Sequence, residues 1–271
     1  MAKLSITTAW NESADYLKQH FGTLFTIAVA LITLPNVALQ AFGPGASAVG
    51  EAPEAGLWLL LVPVVLVLGI TGSLAISTLA LGRASTVGDG IGHGFRRVLP
   101  MLGATLILVL ALSLILFPLA LATGLNAGDL TAPTPATAGK VALLMLVLLV
   151  LLLFFGVRLL LMTPVGAAER AGPLAIIARS WGLTRGHFWR LLGFLLLMAV
   201  AALVVVLVAT MVIGLIVAAI LGAPAPGNAA ALIMLLVGGL LNAVFLVVMT
   251  TMVARLYLQL SGGAAEPIKG S

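Results

Sequence analysis

Apolar residues run along this chain in six blocks, near 21–42, 57–82, 98–123, 140–163, 188–221 and 229–260. A helix needs about 20 such residues to cross about 30 Å of hydrocarbon, so the pattern predicts six membrane-spanning helices. The breaks carry turn chemistry. GPGASAVGEAPEAG (43–56) and NAGDLTAPTPATAG (126–139) are Gly, Pro and small polar residues, which read as loops. GAPAPGN (222–228) reads as a tight link between blocks five and six. Those two blocks exceed a perpendicular span, and either tilt or extension beyond the bilayer accommodates them.

A second pattern lies at the block ends. VRLLLMTPVGAAE (157–169) and ARLYLQLSGGAAE (254–266) match at seven of thirteen positions without a gap, each where an even-numbered block leaves the membrane. DYLKQHFGTLF (15–25), GIGHGFRRVLPMLG (90–103) and GLTRGHFWRLL (182–192) occupy equivalent places before odd-numbered blocks. These matches suggest one membrane domain, residues 1–271, built from three units near 1–83, 84–170 and 171–266. Each unit would be a short surface helix followed by two spans. The expected fold is an all-α, six-helix membrane bundle with short cytoplasmic interfacial helices.

Composition agrees with that class. Hydrophobic residues make up 62% of the 271 and charged residues only 8%, against about 25% charged in an ordinary soluble domain. A net charge of +5 could suggest nucleic acid. The basic residues are instead spread along block flanks, which points to anionic lipid headgroups and not to nucleic acid. The chain has no cysteine, so disulfides, thiolate metal sites and a cysteine nucleophile are excluded. The first twenty residues lack the apolar core and cleavage site of a signal peptide.

Charge placement sets the expected topology. Lys3 and Lys18 precede block one, and Arg83, Arg96 and Arg97 separate blocks two and three. Arg158, Arg170, Arg179, Arg185 and Arg190 surround the link from four to five, and Arg255 and Lys269 close the chain. Lys140, Glu51, Glu54 and Asp129 fall on the other side. Lys/Arg-rich short loops stay cytoplasmic. The expectation is therefore a multi-pass protein of the bacterial inner membrane with both termini cytoplasmic.

The densest basic stretch is RSWGLTRGHFWRLLGF, residues 179–194. On a helix of 3.6 residues per turn, Leu174, Ile177, Trp181, Thr184 and Phe188 form one stripe and Arg179 and Arg190 face away. Arg185 spoils the stripe, and Gly182 and Gly186 flank it. A surface helix is therefore expected to end near 182–186 and block five to begin around His187. Trp10, Trp181 and Trp189 read as interfacial aromatic anchors. The basic side chains Arg96, Arg97, Arg158, Arg179, Arg185, Arg190 and Arg255, with His187, are candidates for headgroup or anion contact. Topology anchors, an anionic lipid site and a protein-docking surface all fit this stretch.

Arg158, Pro164, Glu169 and then Arg179, Ser180, Trp181, Leu183, Thr184 and Gly186 carry a resemblance. This Arg-Ser-Trp-x-Leu-Thr-x-Gly core is similar to that of the polytopic bacterial membrane domain fused to glycerophosphodiester phosphodiesterases, and of its stand-alone six-span relatives. The likeness covers residues 158–193, and the remainder only through hydropathy. It implies a membrane domain of poorly known function. The chain closes soon after block six, so the catalytic domain is not expected and no hydrolase activity is implied.

Other chemistry is sparse. No Asp, Glu, Lys or His falls deep within a block, which argues against an enzyme. Arg158 lies about 26 Å beyond Val141 along a helix rising 1.5 Å per residue, near the basic interface. It and Arg255 can snorkel there, or pair with Glu169, Glu266 or a backbone carbonyl. His20, His93 and His187 sit at separate span entries without a metal-binding spacing, so neither a metal nor another cofactor is expected. GDGIGHG (88–94) has no preceding strand and reads as a loose start to the second surface helix. Within the blocks, Asn36, Gln40, Ser77, Asn242 and Thr250 could line a polar path, and Pro35, Pro63 and Pro118 mark kink positions.

Two functions follow as expectations. One is a non-enzymatic inner-membrane protein that contacts lipid headgroups, or serves as membrane component of a larger assembly with a partner or a second copy of itself. The alternative is a small-molecule or lipid transporter using the polar path.

Overall fold

A computed structural model describes residues 5–42, 56–225 and 228–262. Lys3, Glu51, Glu54, Glu266 and Lys269, and the second GAAE segment (263–266), lie outside them. The described residues contain no strand, and six of their helices are long and apolar enough to cross a membrane. The protein is a multi-pass, all-α membrane protein.

The first span differs from expectation. No surface helix precedes it as a separate element: α1 (Ile6–Ala28) runs on from its Ser5 cap, because residues 6–21 contain neither glycine nor proline to break it. The irregularity comes later, as a single π turn at Val29–Thr33 before α2 (Leu34–Phe42). Pro35 has no amide to donate, and a proline inside a span is accommodated by local π adjustments and side-chain hydrogen bonds. Here the Leu34 amide pairs with the Val29 carbonyl five residues back. The Asn36 side-chain amide donates to the Ile32 carbonyl at 2.8 Å.

A 3₁₀ turn (Leu57–Leu60) leads into α3 (Leu61–Ala80), which returns to the starting end. Surface helix α4 (Val87–Arg96) follows, capped by Thr86, whose hydroxyl accepts from the Asp89 amide at 3.1 Å. Only Arg97 separates α4 from the third span, α5 (Val98–Thr123), which ends at Gly124 with φ +65°. A short α6 (Ala127–Thr131), started by an Asn126/Asp129 capping box, precedes the fourth span. At that same end Lys140 donates to the Thr123 carbonyl, 3.2 Å away.

The fourth span breaks in two. α7 (Ala138–Leu159) stops, residues 160 and 161 form a turn, and α8 (Met162–Ala168) continues. Pro164 is the physical cause: it cannot donate to the Leu160 carbonyl, and its ring clashes with that carbonyl in a continuous helix. α9 (Pro173–Thr184) is the surface helix of the link, ended by Gly186 at φ +88°. The fifth and sixth spans, α10 (Phe188–Leu221) and α11 (Ala229–Leu260), are unbroken helices of 34 and 32 residues.

The spans pack tightly at the basic end, where α4, α8 and α9 also lie. One apolar core joins Leu74, Val157, Leu161, Val165, Ile176, Leu191, Phe194 and Leu256 there. A second joins Leu24, Ile27, Ile76 and Val247 between α1, α3 and α11. Toward the far end, α5 turns Leu110, Leu114 and Phe117 outward and α10 turns Leu207, Val208 and Met211 outward. In a bilayer these side chains face acyl chains.

The glycines of α4 are a packing surface and not the loose start expected of GDGIGHG. Gly90 and Gly94, one turn apart, are buried against α3. A Cβ on Gly94 would stand 2.7 Å from the Thr71 carbonyl oxygen, whereas one on Gly92 would meet nothing within 4 Å. Overpacking a tight contact costs about 1–3 kcal/mol. We therefore expect Gly94→Ala to lower the thermal midpoint of the purified protein by several degrees and Gly92→Ala to leave it unchanged. Equal midpoints for the two variants would contradict this packing.

Candidate functional site

The basic end brings together most of the charged residues, and their side chains divide into two groups. The first group closes the broken fourth span. A helix end leaves carbonyls without amide partners, and in an apolar environment each costs several kcal/mol if unmet. At the first break, the Ser180 hydroxyl donates to the Arg158 carbonyl at 2.9 Å; the Thr184 hydroxyl lies 3.4 Å from the same oxygen but nearer, at 3.1 Å, to the Ser180 and Trp181 carbonyls of its own helix. At the second, beyond α8, three basic side chains of the α3–α5 link serve three successive carbonyls. Arg83 donates to Ala168, His93 Nε2 to Ala167 at 2.9 Å, and Arg97 to Glu169 at 3.0 Å. Burial lowers the pKa of His93, with Arg97, Arg83 and Arg170 acting the same way; the Ala167 hydrogen bond opposes them. Donation from Nε2 requires the hydrogen on that nitrogen.

Glu169 then ties three elements. Its Oε1 accepts from Arg179 Nε at 3.0 Å and from the Tyr257 hydroxyl at 2.9 Å, joining the α8 end to α9 and α11. Glu169 thus pairs with Arg179 and not with Arg158. The Arg158 guanidinium lies over the rings of Trp181, Phe188 and Phe154, 5.2 to 5.7 Å from their centroids. Its Nε and Nη1 are buried without hydrogen-bond partners, so the ring faces supply the attraction for its charge. Arg255 has a related setting, over the Tyr16 ring at 5.0 Å. The two arginines matched by the internal sequence comparison thus both rest on aromatic rings of another span or surface helix.

The second group is free. Arg96, Arg170, Arg185 and Arg190 are exposed, and among the described residues none has an ion pair or hydrogen bond. Beside them, Trp189 is 80% exposed and Phe95 64% exposed.

The remaining candidates fall as follows. Trp10 is exposed, whereas Trp181 is packed against Arg158, Phe154 and Phe155 and is no free anchor. The apolar stripe assigned to α9 needs correction: Leu174 is 69% exposed, and the buried face is Ile176, Ser180 and Thr184. The Ser180 hydroxyl is inside because the Arg158 carbonyl needs it, a requirement that hydropathy does not encode, and the Thr184 hydroxyl is met by carbonyls of its own last turn. The break itself falls as expected, with α9 ending at Thr184 and α10 starting at Phe188. His20 stacks on Tyr16 at 4.3 Å, whereas His93 is held by the Ala167 carbonyl. Among the described residues no three His, Cys, Asp or Glu side chains gather as metal ligands. Of the intramembrane polar residues, Asn36, Gln40 and Asn242 line one cavity. Ser77 is buried elsewhere without a partner, and Thr250 does not reach that cavity. Glu169, Tyr257, Arg83 and His93 are the residues that the candidate set missed; the acid in GAAE was the available signal for the first.

The fold and this basic end define a polytopic helical membrane protein whose basic surface is partly used to hold its own broken span. The chain belongs to the family described as domain of unknown function DUF7847, whose model matches residues 23–260. No curated protein and no solved structure matches the chain.

Removing the acceptor of a partly buried hydrogen bond costs about 1–3 kcal/mol, whereas an exposed ion pair contributes about 0–1 kcal/mol. We expect Glu169→Ala to destabilise the protein clearly in chemical denaturation, and Arg179→Ala only slightly. If the two variants lose the same stability, the Tyr257 bond is not what makes Glu169 matter.

Proposed function

We propose that the protein is a non-enzymatic component of the bacterial inner membrane that binds anionic lipid headgroups at its cytoplasmic face. The reading places both termini in the cytoplasm, on the side of the arginine-rich links. One observation carries it: the division of the arginines. Arg83, Arg97 and Arg179 have protein acceptors, while Arg96, Arg185 and Arg190 are exposed with none among the described residues. They sit beside exposed aromatics, which favour the headgroup layer. Phosphate oxygens are the acceptors available there, and a guanidinium can engage two at once. His187 stands at the N-cap of α10, between Arg185 and Arg190 in the chain, and its Nδ1 is buried without a partner.

A near-surface arginine contributes about 1 kcal/mol to anionic lipid binding, which is roughly fivefold in affinity. Native mass spectra of protein released from phosphatidylglycerol-containing nanodiscs should show retained phosphatidylglycerol on wild type and on Arg179→Ala. The triple variant Arg96→Ala/Arg185→Ala/Arg190→Ala should lose most of it. Equal retention by the triple variant would reject the reading.

A further inference from the structure

The spans hold a second site, well away from the basic end. Asn36, Gln40 and Asn242, with Thr33, line a cavity of about 400 Å³ between the first span and α11. Thr33 and Gly239 mark the closest approach of these helices: the Thr33 hydroxyl donates to the Gly239 carbonyl at 3.4 Å. A Cβ on Gly239 would come within 2.8 Å of Thr33 Cγ2. Asn242 lies 13 residues from Arg255, about 20 Å along the helix, and thus within the hydrocarbon layer and not at its basic surface.

Three independent features meet here. The first is the unmet polar capacity. A primary amide offers two donor hydrogens and an accepting oxygen, yet the Gln40 and Asn242 side chains have no hydrogen-bond partner among the described residues. Asn36 uses a single bond, to Ile32. Asn36, Gln40 and Asn242 are exposed at the mouth of the cavity and not enclosed in the protein, so in a bilayer they meet acyl chains or an occupant. Amides left unpaired in hydrocarbon are costly, which favours an occupant that meets them. The second is the π turn, Val29–Thr33, two of whose residues, Ile32 and Thr33, line the cavity; such turns are frequent at functional sites. The third is a neighbouring cavity of about 420 Å³ on the other side of the same segment, reached by Ser73 and Thr163 and sharing Ile32 and Asn36 with the first. Asn36 therefore stands between two spaces, each within the size range of small-ligand sites.

The lining also selects by charge. No Asp, Glu, Lys, Arg or His borders either cavity, and a charge there would lie unpaired in a low dielectric. We propose that Asn36, Gln40 and Asn242 form an intramembrane binding site for a neutral ligand carrying hydroxyl or amide groups. Its apolar part would lie against Ile32, Val37 and Met234. Both a neutral lipid and a neutral soluble molecule have this chemistry. The site is separate from the headgroup contacts of the basic end and stands without them.

The test uses the full chain in phosphatidylcholine nanodiscs and three diazirine probes: a diacylglycerol, a monosaccharide and a plain alkane. Labelling is read by peptide mapping. We expect the diacylglycerol or the monosaccharide to label the segments around 34–42 and 234–242 above the alkane. Asn36→Leu/Asn242→Leu should cut that labelling roughly tenfold, the loss of one to two membrane hydrogen bonds, while alkane labelling persists. Diacylglycerol labelling identifies a ligand from the lipid phase, and monosaccharide labelling one from water. Asn242→Leu alone keeps the test available if the double variant does not fold, because Asn242 has no protein partner to lose. Labelling by neither polar probe above the alkane would overturn the proposal, as would labelling that survives Asn242→Leu. A cross-link between two copies through these segments, with no probe uptake, would overturn it too.

Discussion

The carbonyls freed by the break in span four organise the rest of the basic end. Pro164 prevents a continuous helix, so α7 ends at Leu159 and a separate α8 must be closed at its own C-terminus. Ala167 is buried, and an orphaned carbonyl shut away from water needs a donor from elsewhere in the chain. The donors come from two directions: Ser180 from α9, and Arg83, His93 and Arg97 from the link between spans two and three. Glu169, one residue past α8, adds α11 through Tyr257. Satisfying one broken helix thereby ties α4, α9 and α11 to it.

This accounts for the Arg-Ser-Trp-x-Leu-Thr-x-Gly core residue by residue. Arg179 meets Glu169, Ser180 meets the Arg158 carbonyl, Thr184 closes the last turn of α9 on the Ser180 and Trp181 carbonyls, and Trp181 covers the Arg158 guanidinium. Leu183 packs against the apolar core, and Gly186 takes the left-handed conformation that turns the chain into α10. Every recognisable residue of the core is therefore committed to structure. The side chains open to a partner are arginines outside it or at its variable position: Arg96, Arg170, Arg185 and Arg190. A motif and a binding surface lie side by side here and are built from different residues.

Much of the architecture was legible because burial in a bilayer leaves a strong mark: about 20 apolar residues per crossing, separated by glycine, proline and charge. The end of α9 at Thr184 was legible from Gly182 and Gly186. What stayed hidden were effects of long-range pairing. The break at 160 and 161 lies within an apolar run, and only Pro164 hints at it. Thr184 reads as one position of an apolar stripe and Ser180 as a position without a contact, until the Arg158 carbonyl gives Ser180 a reason to be buried. In α4, a row of glycines looked like looseness because the α3 backbone that they approach is absent from a local window. Asn36, Gln40 and Asn242 were each visible as polar residues in apolar blocks, but the shared cavity depends on two helices meeting at Thr33 and Gly239.

The central claim is that side-chain donors replace the missing helical amides at the break. It is tested most directly by the unfolding free energy of Ser180→Ala/Thr184→Val in bicelles, compared with Thr210→Val. The Thr210 hydroxyl bonds the Val206 carbonyl inside the unbroken α10, so its loss frees nothing. The account requires the double variant to lose about 1–3 kcal/mol, the cost of leaving a buried acceptor unmet, and Thr210→Val to lose almost nothing. A double variant as stable as Thr210→Val would show that the Arg158 carbonyl does not depend on α9, and the basic end would then need another explanation.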